Sequence, residues 1–258
     1  MLKNINDFQK KYDENEKIVL ATAYDSFTAL VSKKADVDAI LVGDSLGMTA
    51  YGAGNTHNVT LKQMCDHIRA VRTVVSDGLI IGDMPWLTYH GEVSEAVKNA
   101  GELIKAGSNA VKLEGGKDFA QIQKAIVRAG IPVMGHIGLL PQSFLIKGGY
   151  KVARKYQNVS DDARSVEKYC FATVLEAVQH DIAGQVTSEL SIPTIGIGSG
   201  KECDGQVLVT NDLLGMGADR KPKFVRQYAD LFQVGSEALK KYVQDVKDVD
   251  YPDENEQY

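Results

Sequence analysis

Residues 39–48 read AILVGDSLGM: an apolar run, a glycine, and then a bare carboxylate, Asp44, where a buried strand should be leaving the core. The pattern returns at 79–86, LIIGDMPW, with Asp83, and NAVKLEGG at 109–116 adds Lys112 and Glu114. Further Val/Ile-rich runs follow or precede: IVLATAY (18–24), PVMGHIG (132–138), FATVLEAV (171–178), PTIGIGSG (193–200) and QVLVT (206–210). Most are too continuous for strands with one wet face, and such runs suit parallel strands covered on both sides. Between them TLKQMCDHIRAVRTVV, SEAVKNAGELIKAG and FAQIQKAIVRAG carry apolar residues three and four apart, the helical spacing. The last two stop at Gly107 and Gly130, which suit helix C-caps. Roughly eight strands alternating with helices over about 210 residues predict an α/β fold, a closed (β/α)8 TIM barrel rather than a doubly wound sheet.

The chain of 258 residues, 44% hydrophobic and 24% charged, has the length of one such barrel, although two smaller domains fit the raw count equally well. With no domain-splitting linker visible, 1–258 reads as a single domain. Ile5, Phe8 and Tyr12 fall at helical spacing in a polar N-terminus, and the acidic tail DVDYPDENEQY reads as frayed. The longest irregular stretch is 139–160, whose Gly148–Gly149 pair suggests a loop over a strand end. A net charge of −5 without clustered Lys or Arg argues against nucleic acid as a partner. There is no secretory h-region and no run near the roughly eighteen apolar residues of a membrane span. Three scattered cysteines without a C-x-x-C suit a reducing compartment, and the expected location is the cytoplasm.

In a barrel all strands end on one face, so residues distant in sequence become neighbours there. Asp44, Ser45, Asp83, Lys112, Glu114, His136 and Glu176 are the candidates. Any one acid could be a solvated or ion-paired strand end; three in a repeated context favour a site. Gathered carboxylates repel and raise one another's pKa unless a cation takes them up. Oxygen ligands with no Cys or His cluster suit a hard ion such as Mg²⁺. Alternation puts Lys112 and Glu114 on one side of their strand, where the lysine pairs with acids or receives an anionic substrate. His136 is balanced between a satisfied core group and a site residue, and the other four histidines read as surface or helix groups.

GDSLG at 43–47 satisfies the G-x-S-x-G elbow of serine hydrolases, but no Asp-x-x-His pair follows downstream, and the final histidine is His180. GIGSGKECDG lacks the spacing of a Walker A loop or a G-x-G-x-x-G turn.

Taken together, TAYDS, ILVGDSLGM, GDMPW, AVKLEGG, IPVMGHIGLLPQS, VLEAV, IPTIGIGSG and CDGQVLVTNDLLGM closely resemble the ketopantoate hydroxymethyltransferases, in order from about residue 17 to 230. The resemblance implies a barrel of the phosphoenolpyruvate/pyruvate type, one Mg²⁺ per subunit, 5,10-methylenetetrahydrofolate as co-substrate, 3-methyl-2-oxobutanoate as acceptor, a place in pantothenate synthesis and a homodecamer. It implies Asp44 and Asp83 as metal ligands with Glu114 completing the acidic set, Ser45 and Lys112 on the keto acid, Glu176 as proton acceptor and His136 in the same pocket. The chain departs from the family pattern at Ala153-Arg154-Lys155, where a glycine is usual, and at Gln179, where proline is common. A related metal-dependent barrel lyase acting on another 2-oxo acid, and a non-catalytic barrel that keeps the pocket, remain alternatives.

Overall fold

Eight short strands close into a barrel in sequence order, each parallel to the next, and the last pairs with the first. They are β1 (Ile18–Thr22), β2 (Ala39–Val42), β3 (Leu79–Asp83), β4 (Ala110–Lys112), β5 (Val133–Gly138), β6 (Ala172–Glu176), β7 (Thr194–Ile197) and β8 (Gly205–Leu208). This computed structural model describes residues 1–149, 152–217 and 222–258. They form two compact units, Met1–Val209, which holds the barrel, and Thr210–Tyr258.

Alternation along each strand sorts its side chains between two apolar layers. Leu20, Leu41, Leu79, Ile81, Met134, Val174, Ile195 and Val207 fill the barrel lumen, and Phe8 packs among them. Ile40, Val42, Ile80, Val111, Val133 and Leu175 point outward against the helices. This double burial explains the unbroken apolar runs; all residues of β2, β3 and β4 are buried. Each large side chain so removed from water contributes about 1.5–3 kcal/mol.

The same parity places the chemistry. Leu79 and Ile81 face the lumen, so Asp83 does as well; Ala110 leads to Lys112 and Glu114, Met134 to His136, and Val174 to Glu176. The register keeps them adjacent, pairing Asp83 with Lys112 across β3 and β4. Gly138 of β5 is opposite Glu176. At Gly138 the backbone has φ +95°, and a Cβ there would lie 2.5 Å from the Glu176 carbonyl oxygen. Only glycine permits that approach.

Helices cover the outside where the apolar spacing predicts them, at Leu61–Val74, Val93–Ala106 and Ala120–Arg128. The first begins with a reciprocal Thr60/Gln63 capping box. Gly107, at φ +122°, caps the second, and Gly130 follows the third. The N-terminal helix Ile5–Asp13 brings Phe8 to the lumen, edge-on to Phe171 at 5.5 Å.

The expected irregular stretch 139–160 is more ordered than its sequence suggests. It contains a 3₁₀ turn at Pro141–Ser143, an α-turn at Phe144–Lys147 and the start of the helix Tyr156–Val166. One-turn helices carry too few residues for periodicity to show, and tertiary bonds must hold them. Tyr150 and Lys151 of the expected loop lie outside the described residues.

The second unit holds a one-turn helix, Thr210–Leu213, and a long one, Leu231–Lys247, whose N-terminus is capped by the Asp230 side chain accepting from the Gln233 N–H. The acidic tail beyond it is exposed throughout. Among the described residues no helix is long and apolar enough to cross a membrane.

Candidate active site

The C-terminal ends of β2 to β6 bring six of the seven candidate side chains into one buried cluster. Lys112 Nζ lies 2.7 Å from each carboxylate oxygen of Asp83. The backbone N–H of Asp44 donates to Asp83 Oδ2 at 3.3 Å. Glu114 Oε1 is 3.8 Å from His136 Nδ1. His136 Nε2 lies 3.3 Å from Glu176 Oε2, off the line of a well-formed hydrogen bond. Asp44, Asp83, Lys112, Glu114 and His136 are all buried, whereas the Glu176 side chain keeps 19% of its surface exposed. One carboxylate therefore faces the open side while the rest sit below it.

Ser45, the seventh candidate, adjoins Asp44, and its Oγ lies 2.8 Å from the Tyr24 hydroxyl. Its hydroxyl partner is a buried phenol whose pKa burial raises, not the imidazole that a serine nucleophile needs.

Gln142, in the turn after β5, drew no notice in the sequence, yet it ties the cluster together. Its Nε2 donates to Asp44 Oδ2 at 2.9 Å and to the Met84 carbonyl at 3.0 Å. Its backbone N–H donates to Glu114 Oε2 at 2.9 Å. The Tyr89 hydroxyl donates to Gln142 Oε1 at 2.7 Å while accepting the Glu114 N–H at 3.1 Å. The only hint in the sequence was LLPQS, a proline that starts a turn next to the expected strand end.

Electrostatics make the cluster short of positive charge. Burial, then the Asp83 charge, pushes the Asp44 carboxyl up to about 7. Burial and the Asp44 carboxylate raise Glu114 well above the usual range. Burial alone would lower Lys112, but Asp83, Asp44 and Glu114 outweigh it and hold the ammonium charged. Burial lowers His136 and keeps the imidazole neutral. Three carboxylates thus share one fixed cation in a dry setting.

The donor set fits a hard divalent ion in chemistry: oxygen atoms in excess of positive charge, with Glu114 Oε1 buried and without a hydrogen-bond partner. Lys112 and Gln142 occupy other oxygens, and among the described residues no three acidic, His or Cys groups already form a cage.

The two positions that depart from the family pattern meet just above Glu176. The Gln179 N–H donates to the Ala153 carbonyl at 3.0 Å, and the Ala153 N–H donates to Ala177 at 2.9 Å. A proline at 179 could not form the first of these bonds.

Two of the histidines read as surface or helix groups, the exposed His90 and the partly buried His57, also border the cluster. His57 and His90 line a cavity beside Glu114 with Trp86, Tyr89 and Phe119. They come from loops, where periodicity carries no signal.

The ketopantoate hydroxymethyltransferase family model matches residues 3–254. The chain belongs to that family. Among curated relatives, 3-methyl-2-oxobutanoate hydroxymethyltransferase of Thermotoga maritima is 46% identical over 254 residues, covering 96% of this chain and 94% of the relative. The enzyme of the same name from Saccharolobus islandicus is 48% identical over 254 residues, covering 96% and 95%. Membership of the ketopantoate hydroxymethyltransferases makes the chain a transferase. Solved structures share the barrel at much lower identity. Phosphonopyruvate hydrolase with oxalate and Mg²⁺ aligns with TM-score 0.65 and 12% identity over 99% of this chain and 93% of that one. 2,3-Dimethylmalate lyase, of the PEP mutase/isocitrate lyase superfamily, gives 0.64 and 16% over 100% and 92%. At that identity they establish the fold alone, the expected (β/α)8 barrel.

Proposed function

We propose that the chain transfers a hydroxymethyl group from 5,10-methylenetetrahydrofolate to 3-methyl-2-oxobutanoate, giving ketopantoate for pantothenate and coenzyme A synthesis. The observation that carries the reading is the buried rim of Asp44, Asp83 and Glu114 with a single lysine, capped by the partly exposed carboxylate of Glu176. Full-length relatives at 46–48% identity favour the transferase over a barrel lyase, for which only the fold speaks.

Asp44 and Asp83 would hold one Mg²⁺, with Glu114 completing the set directly or through water. When bound, the ion supplies Lewis acidity toward the 2-oxo acid and acidifies its C3–H. Lys112, charged and anchored on Asp83, and Ser45 are assigned to the substrate carboxylate and keto group. Glu176 takes the C3 proton. His136, neutral and 3.3 Å from Glu176, lines the same pocket. Atoms balance as follows: the C3–H bond breaks, a C3–CH₂ bond forms, both C–N bonds of the donor methylene break, and water supplies the hydroxyl. The two donor nitrogens end protonated. The family resemblance extends the proposal to a cytoplasmic homodecamer, which sedimentation would test.

Incubation with 3-methyl-2-oxobutanoate and Mg²⁺ in D₂O should exchange the C3 hydrogen, and later addition of the folate donor should yield ketopantoate. Glu176→Gln should retain keto-acid binding and lose exchange. Exchange that persists in this variant removes Glu176 from the role, and no exchange by the unaltered protein ends the proposal.

A further inference from the structure

The reading above leaves unused a cavity of about 210 Å³ that borders the acid cluster. Its walls are built from rings. His57 stacks on Trp86 with centroids 4.3 Å apart and planes at 28°. Opposite in kind, Tyr89, His90 and Phe119 form a packed trio, with centroids 4.1 to 5.2 Å apart. Leu145 and Ile146, which are 66% and 89% exposed, supply an apolar rim. Glu114 and Gln142, both buried, also line the cavity, and both belong to the acid cluster. The cavity therefore runs from open surface to the reacting rim.

Two of the walls are held in place by further contacts. His57 Nε2 is held 2.9 Å from the Gln142 carbonyl. Gly115 has φ +107°, and a Cβ there would lie 2.3 Å from the Phe119 ring. Glycine is what lets that ring close on the cavity. Preorganised aromatic faces reward a flat, unsaturated ligand by stacking and give an aliphatic one no comparable gain.

We infer that this cavity seats the fused heterocycle of the one-carbon donor, a reduced pterin, against Trp86 and His57, so that its bridging carbon reaches the rim past Glu114. The inference rests on the proposed transferase reading and goes further by assigning the donor's ring to named residues.

Trp86 is the only tryptophan, so its emission reports on this cavity alone. Tetrahydrofolate and a tail-less 6-methyltetrahydropterin should each quench it saturably after correction against free tryptophan. p-Aminobenzoylglutamate, the tail alone, should not. His57→Ala should weaken tetrahydrofolate binding roughly tenfold by calorimetry, the scale of one lost stacking contact. The inference is overturned by calorimetric binding that leaves Trp86 emission unmoved, by quenching from the tail alone, or by absence of tetrahydrofolate binding. C3 deuterium exchange needs no pterin, so it judges the transferase reading separately: exchange without a Trp86 response discards the pterin seat alone, and a response without exchange discards the reaction.

Discussion

Lys112 and Asp83 face each other in register across β3 and β4, and the ammonium sits 2.7 Å from both carboxylate oxygens with both side chains at most 5% exposed. Removing one member of a buried pair leaves an uncompensated charge, at a cost of about 3–5 kcal/mol. The two members are not equivalent here. Asp83→Asn leaves Lys112 beside Asp44 and Glu114, whereas Lys112→Met leaves three acids and no cation. In metal-free buffer Lys112→Met should therefore melt well below Asp83→Asn. Equal melting temperatures would show that charge balance does not govern the rim.

Gln142 predicts a different signature. It spans Asp44 and Glu114 and accepts from Tyr89, so its loss strands several buried polar groups at about 1–3 kcal/mol each. Gln142→Leu, similar in size, should lower kcat by tenfold or more while the barrel stays folded by circular dichroism. Gln142→Glu should do worse, since it sets a fourth carboxylate against Asp44. A glutamate variant as active as the unaltered protein contradicts a positioning role.

How much of this was visible beforehand follows from where each residue sits. Asp83, Lys112, Glu114, His136 and Glu176 end strands whose lumen-facing parity is fixed by apolar neighbours, so alternation and the barrel's single C-terminal face sufficed to gather them. Gln142, His57 and Trp86 lie on turns after strands. Their positions depend on hydrogen bonds and ring contacts between segments far apart in sequence, such as the 85 residues separating His57 from Gln142. No local period encodes such contacts. The one-turn helices of 141–147 escaped for the same reason.

Gln179 tests whether the chain's departures from the family pattern compensate each other. Its φ of −55° already suits proline, so Gln179→Pro should cost little beyond the lost bond to Ala153, about 1 kcal/mol. With that tie gone, the exposed Arg154 and Lys155 should be cut faster by trypsin. An unchanged cleavage rate means that the bond does not restrain the segment.

Cys170 carries an alkaline prediction. Burial raises its thiol above the ordinary value of 9.0. The folded state then holds this proton more tightly than the unfolded state, so this group's contribution to stability is fully present below pH 9.0 and declines as pH rises above it. Cys170→Ala should flatten the decline in urea melts between pH 9 and 10.5, an interval chosen as roughly the first decade and a half of thiol ionisation. A decline of the same slope in the variant assigns it to other groups.

Phe8 reaches the lumen from outside the barrel's own alternation of strands and helices. It is fully buried against Phe171 and packs with Leu20, Ile81 and Val207, so the N-terminal helix acts as a plug on the face opposite the acids. Phe8→Ala should cost about 3–5 kcal/mol, the usual loss for a buried aromatic that leaves a cavity. Because the plug lies at the other end of the lumen from Glu176, C3 exchange per folded molecule should survive at temperatures where the variant remains native. A variant that stays folded but loses exchange would show that lumen packing sets the rim's geometry directly, and the strand ends could then no longer be treated as positioned by the barrel's register alone.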